Sequence, residues 1–191
     1  MFQKFYPDVY MDSTYEIDFE QLYQDGYRGI IFDIDNTLVT HGAPADTRAI
    51  ALFAELKRIG FQCCLLSNNK EPRVKMFNDS VHVNYIYDAH KPSVQNYKKA
   101  MELMGTDKNS TVFIGDQIFT DIWGAKRTGI RTIMVRKIHW KEEIQIVLKR
   151  RLEAFVLMEY RRYARRQGTG KPDTPGYLRE RYQKDVRSFR S

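Results

Sequence analysis

Gly29-Ile30-Ile31-Phe32-Asp33-Ile34-Asp35-Asn36-Thr37 decides how the rest of the chain is read. An unbroken apolar run enters two carboxylates spaced two residues apart. A strand buried on both faces shows such a run instead of alternation, as in a parallel sheet. The acids then stand at the strand's carboxyl end.

Working outward, the same unit recurs. Residues 44–59 carry apolar positions at helical spacing and stop at Gly60, a good helix terminator. Residues 61–67, FQCCLLS, read as a second buried strand, and Glu71-Pro72 opens the next helix. VNYIYD at 83–88 is a third strand, and 92–105 a helix between Pro92 and Gly105. TVFIGD at 111–116 is a fourth strand, 120–129 a short helix and 130–135 a fifth strand. Strands alternating with helices over short connections predict an α/β fold, a Rossmann-like parallel sheet with helices on both faces, three layers in all. Ligands in such sheets sit beyond the carboxyl ends of the strands. The residues expected there are Asp33, Asp35, Ser67 and Asp116, with Lys91 three residues beyond the third strand.

These residue types suit phosphate chemistry. Of two carboxylates at one strand end, one can act as nucleophile or metal ligand and the other can move a proton. Like charges so close call for a cation, and an all-oxygen site favours a hard one such as Mg²⁺. Ser67 with Asn68 and Asn69 offers hydroxyl and amide donors to phosphate oxygens. Lys91 can offset transition-state charge. Asp116 can complete a metal shell begun by Asp33, and Asp121 can orient a water or Lys91. Gly115 allows close backbone approach. Taken singly, each has a structural alternative: an Asx turn, a helix cap, a surface lysine. Four successive strand ends bearing acid pair, hydroxyl, lysine and acid are harder to explain as structure alone. His90 reads as local structure.

The 191-residue chain has a formal charge of +7, and the excess is local. Residues 1–136 hold 16 Lys and Arg against 17 Asp and Glu, a net −1, whereas 137–191 hold 15 against 7, a net +8. A generic polyanion-binding core is thereby excluded. No apolar run is long enough to cross a bilayer, and the start of the sequence lacks a secretory signal, so a cytoplasmic location is expected. Cys63 and Cys64 are adjacent, unsuited to a mutual disulfide or a zinc site, and read as small buried residues. Residues 1–139 are expected to form the core. Ile144, Val147, Leu148, Leu152, Phe155, Val156, Tyr160 and Tyr163 predict a basic amphipathic helix over 140–166. Residues 167–191 read as a flexible basic tail.

The motifs in their order, DIDNT at 33–37, Ser67, Lys91 and GDQIFTD at 115–121, resemble the haloacid dehalogenase (HAD) superfamily. FYPDVY at 5–10, GIIFDIDNTLV at 29–39, LLSNNK at 65–70 and GDQIFTDIWGAKRTG at 115–129 resemble its subclass III phosphatases, of the YqeG-like type related to phosphatidylglycerophosphate phosphatases. The resemblance covers about residues 2–157. It implies Asp33 as nucleophile and Asp35 as acid/base. It also implies Ser67 and Lys91 as phosphate binders, and Mg²⁺ on Asp33, the Asp35 carbonyl and Asp116, with Asp121 as the second acid of the fourth motif. Thr37 and Asn68 are grouped with the substrate binders. The fourth motif opens with a single Asp, where the family also uses a pair.

One helix and one strand use up residues 37–67, and 67–91 is shorter still, so neither gap holds a cap domain. An open site admits a large substrate such as a lipid headgroup. The basic helix fits an anionic membrane surface, at the inner face of the membrane. The competing expectation is a binding module in which Tyr160, Tyr163, Tyr177 and Tyr182 among arginines hold RNA or a ribosomal partner.

Overall fold

The computed structural model describes residues 3–138 together with Phe155, Val156, Met158, Glu159 and Arg162. Six strands alternate with helices in chain order: β1 (Val9–Met11), α1 (Phe19–Gln24), β2 (Gly29–Phe32), α2 (Thr47–Ile59), β3 (Gln62–Leu66), α3 (Glu71–Asn78), β4 (Asn84–Ile86), α4 (Val94–Met104), β5 (Thr111–Gly115), α5 (Trp123–Thr128) and β6 (Arg131–Val135). A π-helical turn, Ile118–Ile122, runs into α5.

All pairings are parallel, in the order β1-β6-β5-β2-β3-β4. β2 lies between β3 and β5, so the chain leaves it for β3 on one side and later returns to β5 on the other. That reversal opens a crevice at the carboxyl ends of β2 and β5, where open α/β sheets bind ligands. Asp33 follows one of these strands and Asp116 the other.

The absence of alternation in the strands has the expected cause. Successive residues face opposite layers, and both layers are apolar. Ile30, Phe32, Cys63, Leu65, Val112 and Ile114 pack against Phe19, Leu22, Leu52, Phe53, Leu56 and Phe77 of α1–α3. Ile31, Cys64, Leu66 and Phe113 pack against Tyr97, Ala100, Met101, Met104 and Ala125 of α4 and α5. The adjacent thiols of Cys63 and Cys64 thus enter separate cores, and burial pushes both pKa values up to about 12. Such thiols are inert at neutral pH.

Helix ends follow sequence chemistry. Asp46 caps α2 through Ala49 N at 2.8 Å, and Gly60 closes it with φ 111°. Between Thr37 and Ser67 lie only α2 and β3, and between Ser67 and Lys91 only α3 and β4, so neither interval holds a cap domain.

Two elements go beyond the sequence reading. β1 and α1 precede the first anticipated strand. Val9, Tyr10 and Met11 are too short a run to announce a strand, and pairing with Ile133, Met134 and Val135 makes them one. Asp8 fastens this edge by accepting from Thr132 N and Thr132 Oγ1, each at 2.8 Å. The expected helix over 140–166 lies mostly outside the described residues, and the tail at 167–191 lies wholly outside them. Phe155, Val156, Met158, Glu159 and Arg162 are helical, and Val156 is buried against Ile118, Ile122 and Met134. Tyr160, Tyr163, Tyr177 and Tyr182, on which an RNA-binding reading rests, are also outside the described residues. Among the described residues, no helix is long and apolar enough to cross a membrane.

Candidate active site

The loop after β2 carries the paired acids. Its backbone reverses through Asn36 at φ 64°, a left-handed position that Asn tolerates well. The N-terminal segment fastens this loop: Thr14 Oγ1 donates to Thr37 O at 2.7 Å, and Tyr15 OH to Leu38 O at 2.7 Å. Both hydroxyls belong to the segment the strand pattern did not announce.

Residues from three distant parts of the chain meet in the crevice. Lys91 Nζ donates to Asp33 Oδ1 and to Asp121 Oδ1, each at 2.6 Å. Thr37 Oγ1 donates to Asp33 Oδ2 at 3.3 Å and reaches Asp116 Oδ1 at 3.5 Å. Carboxylate oxygens of Asp33, Asp116 and Asp121 lie within 4.8 Å of one another, all on buried residues. Lys137 Nζ, just past β6, stands 3.6 Å from Asp116 Oδ2, an oxygen without a hydrogen bond.

The loop after β4 aims the lysine. Asp88 and His90 take left-handed φ values of 43° and 50°. Asn68 brackets Lys91, its Oδ1 accepting from Lys91 N at 2.7 Å and its Nδ2 donating to Lys91 O at 3.2 Å. The side chain expected among the substrate binders thus spends two hydrogen bonds on positioning. Ser67 is buried at the end of β3, and its Oγ accepts from Asn69 N at 3.1 Å. Gly115 lets the π-helical turn close in. A Cβ there would meet Asp121 Oδ2 and Phe113 Cε1, each at 2.7 Å. Asp121 Oδ2 accepts instead from Gln117 N at 3.1 Å.

The Asp35 carboxylate has a separate set of partners. Oδ1 accepts from Gly42 N at 2.8 Å and Arg73 Nη2 at 2.9 Å, and Oδ2 from Asn69 Nδ2 at 2.6 Å. His41 Nδ1 lies 3.7 Å from Oδ1. Arg73 and Lys137 were absent from the sequence candidates. Lys137 stands at the end of the last strand, so the strand-end rule would have found it. Arg73 was hidden in a helix-start signature.

Charge in the crevice is unbalanced. Burial raises the Asp33 pKa to about 6; Lys91 opposes that, and Asp121 and Asp35 add to it. Burial, then Asp33 and Asp121, hold Asp116 well above the usual carboxylate range, with Lys137 and Lys91 opposing. Burial disfavours the Lys91 ammonium, but Asp121 and Asp33 outweigh it and raise its pKa. Three crowded carboxylates, hard oxygen donors and an Asp116 oxygen without a hydrogen bond fit a hard divalent cation.

A family model described as HAD-hydrolase-like matches residues 89–142, the span holding Lys91, Asp116 and Asp121. The "Probable phosphatase YqeG" of Bacillus subtilis (strain 168) is 35% identical over 164 residues, 85% of this chain and 95% of that protein. The chain belongs to the HAD superfamily of hydrolases, in its YqeG-like group, and is a HAD-type phosphatase. The chloroplastic/mitochondrial phosphatidylglycerophosphate phosphatase 1 of Arabidopsis thaliana is 25% identical over 173 residues. That match takes in 82% of this chain and 48% of the plant protein, about half its length. The fold recurs in the crystal structure of an uncharacterized protein from Listeria monocytogenes serotype 4b, with TM-score 0.50 and 18% identity over 61% of this chain and 84% of that one.

Proposed function

We propose that the protein is a magnesium-dependent phosphomonoester hydrolase that carries the phosphoryl group on Asp33. The observation supporting this most directly is the shared ammonium of Lys91, 2.6 Å from both Asp33 and Asp121 at a three-carboxylate crevice. Asp33 and Asp116, with the Asp35 carbonyl and Asp121 beside them, would hold Mg²⁺. The ion would supply positive charge to the phosphoryl oxygens.

In the first half, an Asp33 carboxylate oxygen bonds to phosphorus while the phosphorus–alkoxide bond breaks. Asp35 gives its proton to the departing oxygen. Lys91 holds the nucleophile in line and meets the charge developing on the phosphoryl group. Thr37 and Ser67 offer hydroxyl donors to the same group, and Asn68 keeps Lys91 in place. In the second half Asp35 takes a proton from water, the water oxygen bonds to phosphorus, and the Asp33–phosphorus bond breaks. Inorganic phosphate leaves and Asp33 is regenerated.

A crevice with no cap domain in either interval suits a bulky phosphate ester, and the plant relative's name makes a phosphatidylglycerophosphate-like headgroup the leading substrate. In this reading residues 1–139 do the chemistry in the cytoplasm. The basic stretches at 140–166 and 167–191 bring the site to the anionic inner face of a membrane. Turnover of a panel of lipid phosphates, nucleotides, sugar phosphates and phosphopeptides with Mg²⁺ tests the substrate. Asp33→Asn is expected to fold and to lose at least about 10³-fold in turnover. A variant retaining most of the wild-type rate would exclude Asp33 as the nucleophile. Equal co-sedimentation with anionic and neutral vesicles would exclude the membrane role.

A further inference from the structure

Arg73 has no task in the mechanism above. It stands in the first turn of α3 with a side chain 14% exposed, and Nη2 spends one hydrogen bond on Asp35 Oδ1 at 2.9 Å. Its Nε and Nη1 are buried and have no acceptor. Buried donors are rarely left unmet in native proteins, and a guanidinium with two idle donors is an expensive thing to keep. Nor is Asp35 short of partners, since Gly42 N and Asn69 Nδ2 already hold its two oxygens at 2.8 and 2.6 Å. Arg73 therefore brings more hydrogen-bonding capacity and more charge than fixing Asp35 requires.

The position of Asp35 says what passes by. If Asp35 delivers a proton to the departing oxygen, that oxygen comes within hydrogen-bond reach of its carboxylate. The next atoms of the alcohol then run alongside the guanidinium, which is bonded to the same carboxylate. A planar fork with spare donors matches a two-oxygen anion. We infer that Arg73 is a specificity-determining residue that binds a second anionic group, a phosphodiester or a carboxylate, on the alcohol portion of the substrate. The inference rests on the assignment of Asp35 as the proton donor. It goes beyond that assignment by requiring charge on the part of the substrate that is not hydrolysed. Phosphomonoesters of neutral alcohols are then poor substrates although their reacting group is the same.

The test compares three substrates with the full chain and Mg²⁺. They are glycerol 3-phosphate, 3-phosphoglycerate, and glycerol 3-phosphate carrying a methyl phosphodiester on its far carbon. Charge-assisted hydrogen bonds of this kind set a preference of about 10- to 100-fold in kcat/KM for the two anionic alcohols. The better of the two identifies the anion as phosphodiester or carboxylate. Arg73→Gln should bring all three within about twofold, chiefly by raising KM for the anionic pair. Arg73→Lys, which keeps the charge without the fork, should retain an intermediate preference. Equal use of all three by the wild type would overturn the inference. So would an Arg73→Gln variant that loses rate on all three in the same proportion, the behaviour of a residue that only fixes Asp35. Calorimetric binding of the methyl glycerophosphodiester, which has no hydrolysable phosphate, to wild type and Arg73→Lys reads the same contact without turnover. Equal affinity there refutes the contact even if the phosphatase assignment stands. Loss of turnover on every substrate with that binding difference intact would refute the reaction and leave the anion site.

Discussion

Replacing Lys91 by methionine strands two buried carboxylates while keeping the length and bulk of the side chain. The loss is therefore mainly electrostatic. In the native crevice Lys91 Nζ is 2.6 Å from Asp33 and 2.6 Å from Asp121, and the lysine side chain is only 3% exposed. Removing one partner of a buried ion pair costs about 3–5 kcal/mol, because the remaining charge keeps its desolvation penalty. In a chain of this length each kcal/mol lowers Tm by about 2–4 °C. Lys91→Met should therefore melt about 6–20 °C below wild type at neutral pH in chelator. The pH dependence has a definite sign. Burial, together with Asp121 and Asp35, lifts Asp33 from 3.8 to about 6 even against Lys91. A carboxyl whose pKa is raised on folding stabilises the fold at low pH, and that support fades as pH rises through this interval. Without Lys91, which lowers it, the Asp33 pKa of the variant lies higher still, so the variant's deficit should shrink below about pH 5 and grow as pH rises past about 6. Adding Asp121→Asn, which removes one stranded charge at nearly constant shape, should recover part of the stability and none of the turnover. The assay is differential scanning calorimetry with EDTA across this pH range. A variant melting within about 2 °C of wild type at pH 8, or one whose deficit grows on acidification, would refute the shared-ammonium account.

Gly115→Ala places a methyl group 2.7 Å from Asp121 Oδ2 and 2.9 Å from Asp121 Cβ. Overpacking of this kind costs about 1–3 kcal/mol, so Tm should fall while turnover drops further, as thermal melts beside kinetics would show. Adding a divalent cation to chelated protein should raise Tm, by about 2.7 kcal/mol of stabilisation at 100 times Kd. Asp116→Asn should remove most of that rise in a thermal-shift titration. At the opposite end of the sheet, burial tends to raise the Asp8 pKa, but Lys126 and Thr132 outweigh it and hold it low. The stabilisation Asp8 provides is present above its ordinary value of 3.8 and is lost as pH falls. Wild type and Asp8→Asn should therefore differ by about 1 kcal/mol at neutral pH, a modest figure for a half-exposed group, and converge in urea melts at acid pH.

Where the sequence could be read, it was because one side-chain requirement dominated. Strands buried on both faces must be apolar throughout, so β2, β3 and β5 announced themselves, and their polar ends marked the crevice. β1 carried no such signal: three residues become a strand only through β6. The helix starting at Glu71-Pro72 was legible from its proline, whereas the task of Arg73 was not, since a guanidinium in a first turn looks like any surface charge until its partner is known. Asn68 was legible as a polar group at a strand end, but its use as a bracket for Lys91 depends on the conformation of the loop after β4. Asp121 was legible as an acid able to orient a water or Lys91, and its Oδ1 accepts from Lys91 Nζ at 2.6 Å.

The first edge strand and the strand it pairs with lie at opposite ends of the core, and Asp8 bonds to Thr132 across 124 positions. During synthesis the ribosome delivers β1 at the outset and β6 only after every motif residue has been made. Contacts so far apart in the chain close late. Thr14 and Tyr15, which tie down the loop bearing Asp33 and Asp35, are joined to β1 and wait with it. A nascent chain that already holds nucleophile, lysine and fourth-motif acids still lacks β6, the pairing partner of the edge strand to which the segment fastening its reactive loop is joined.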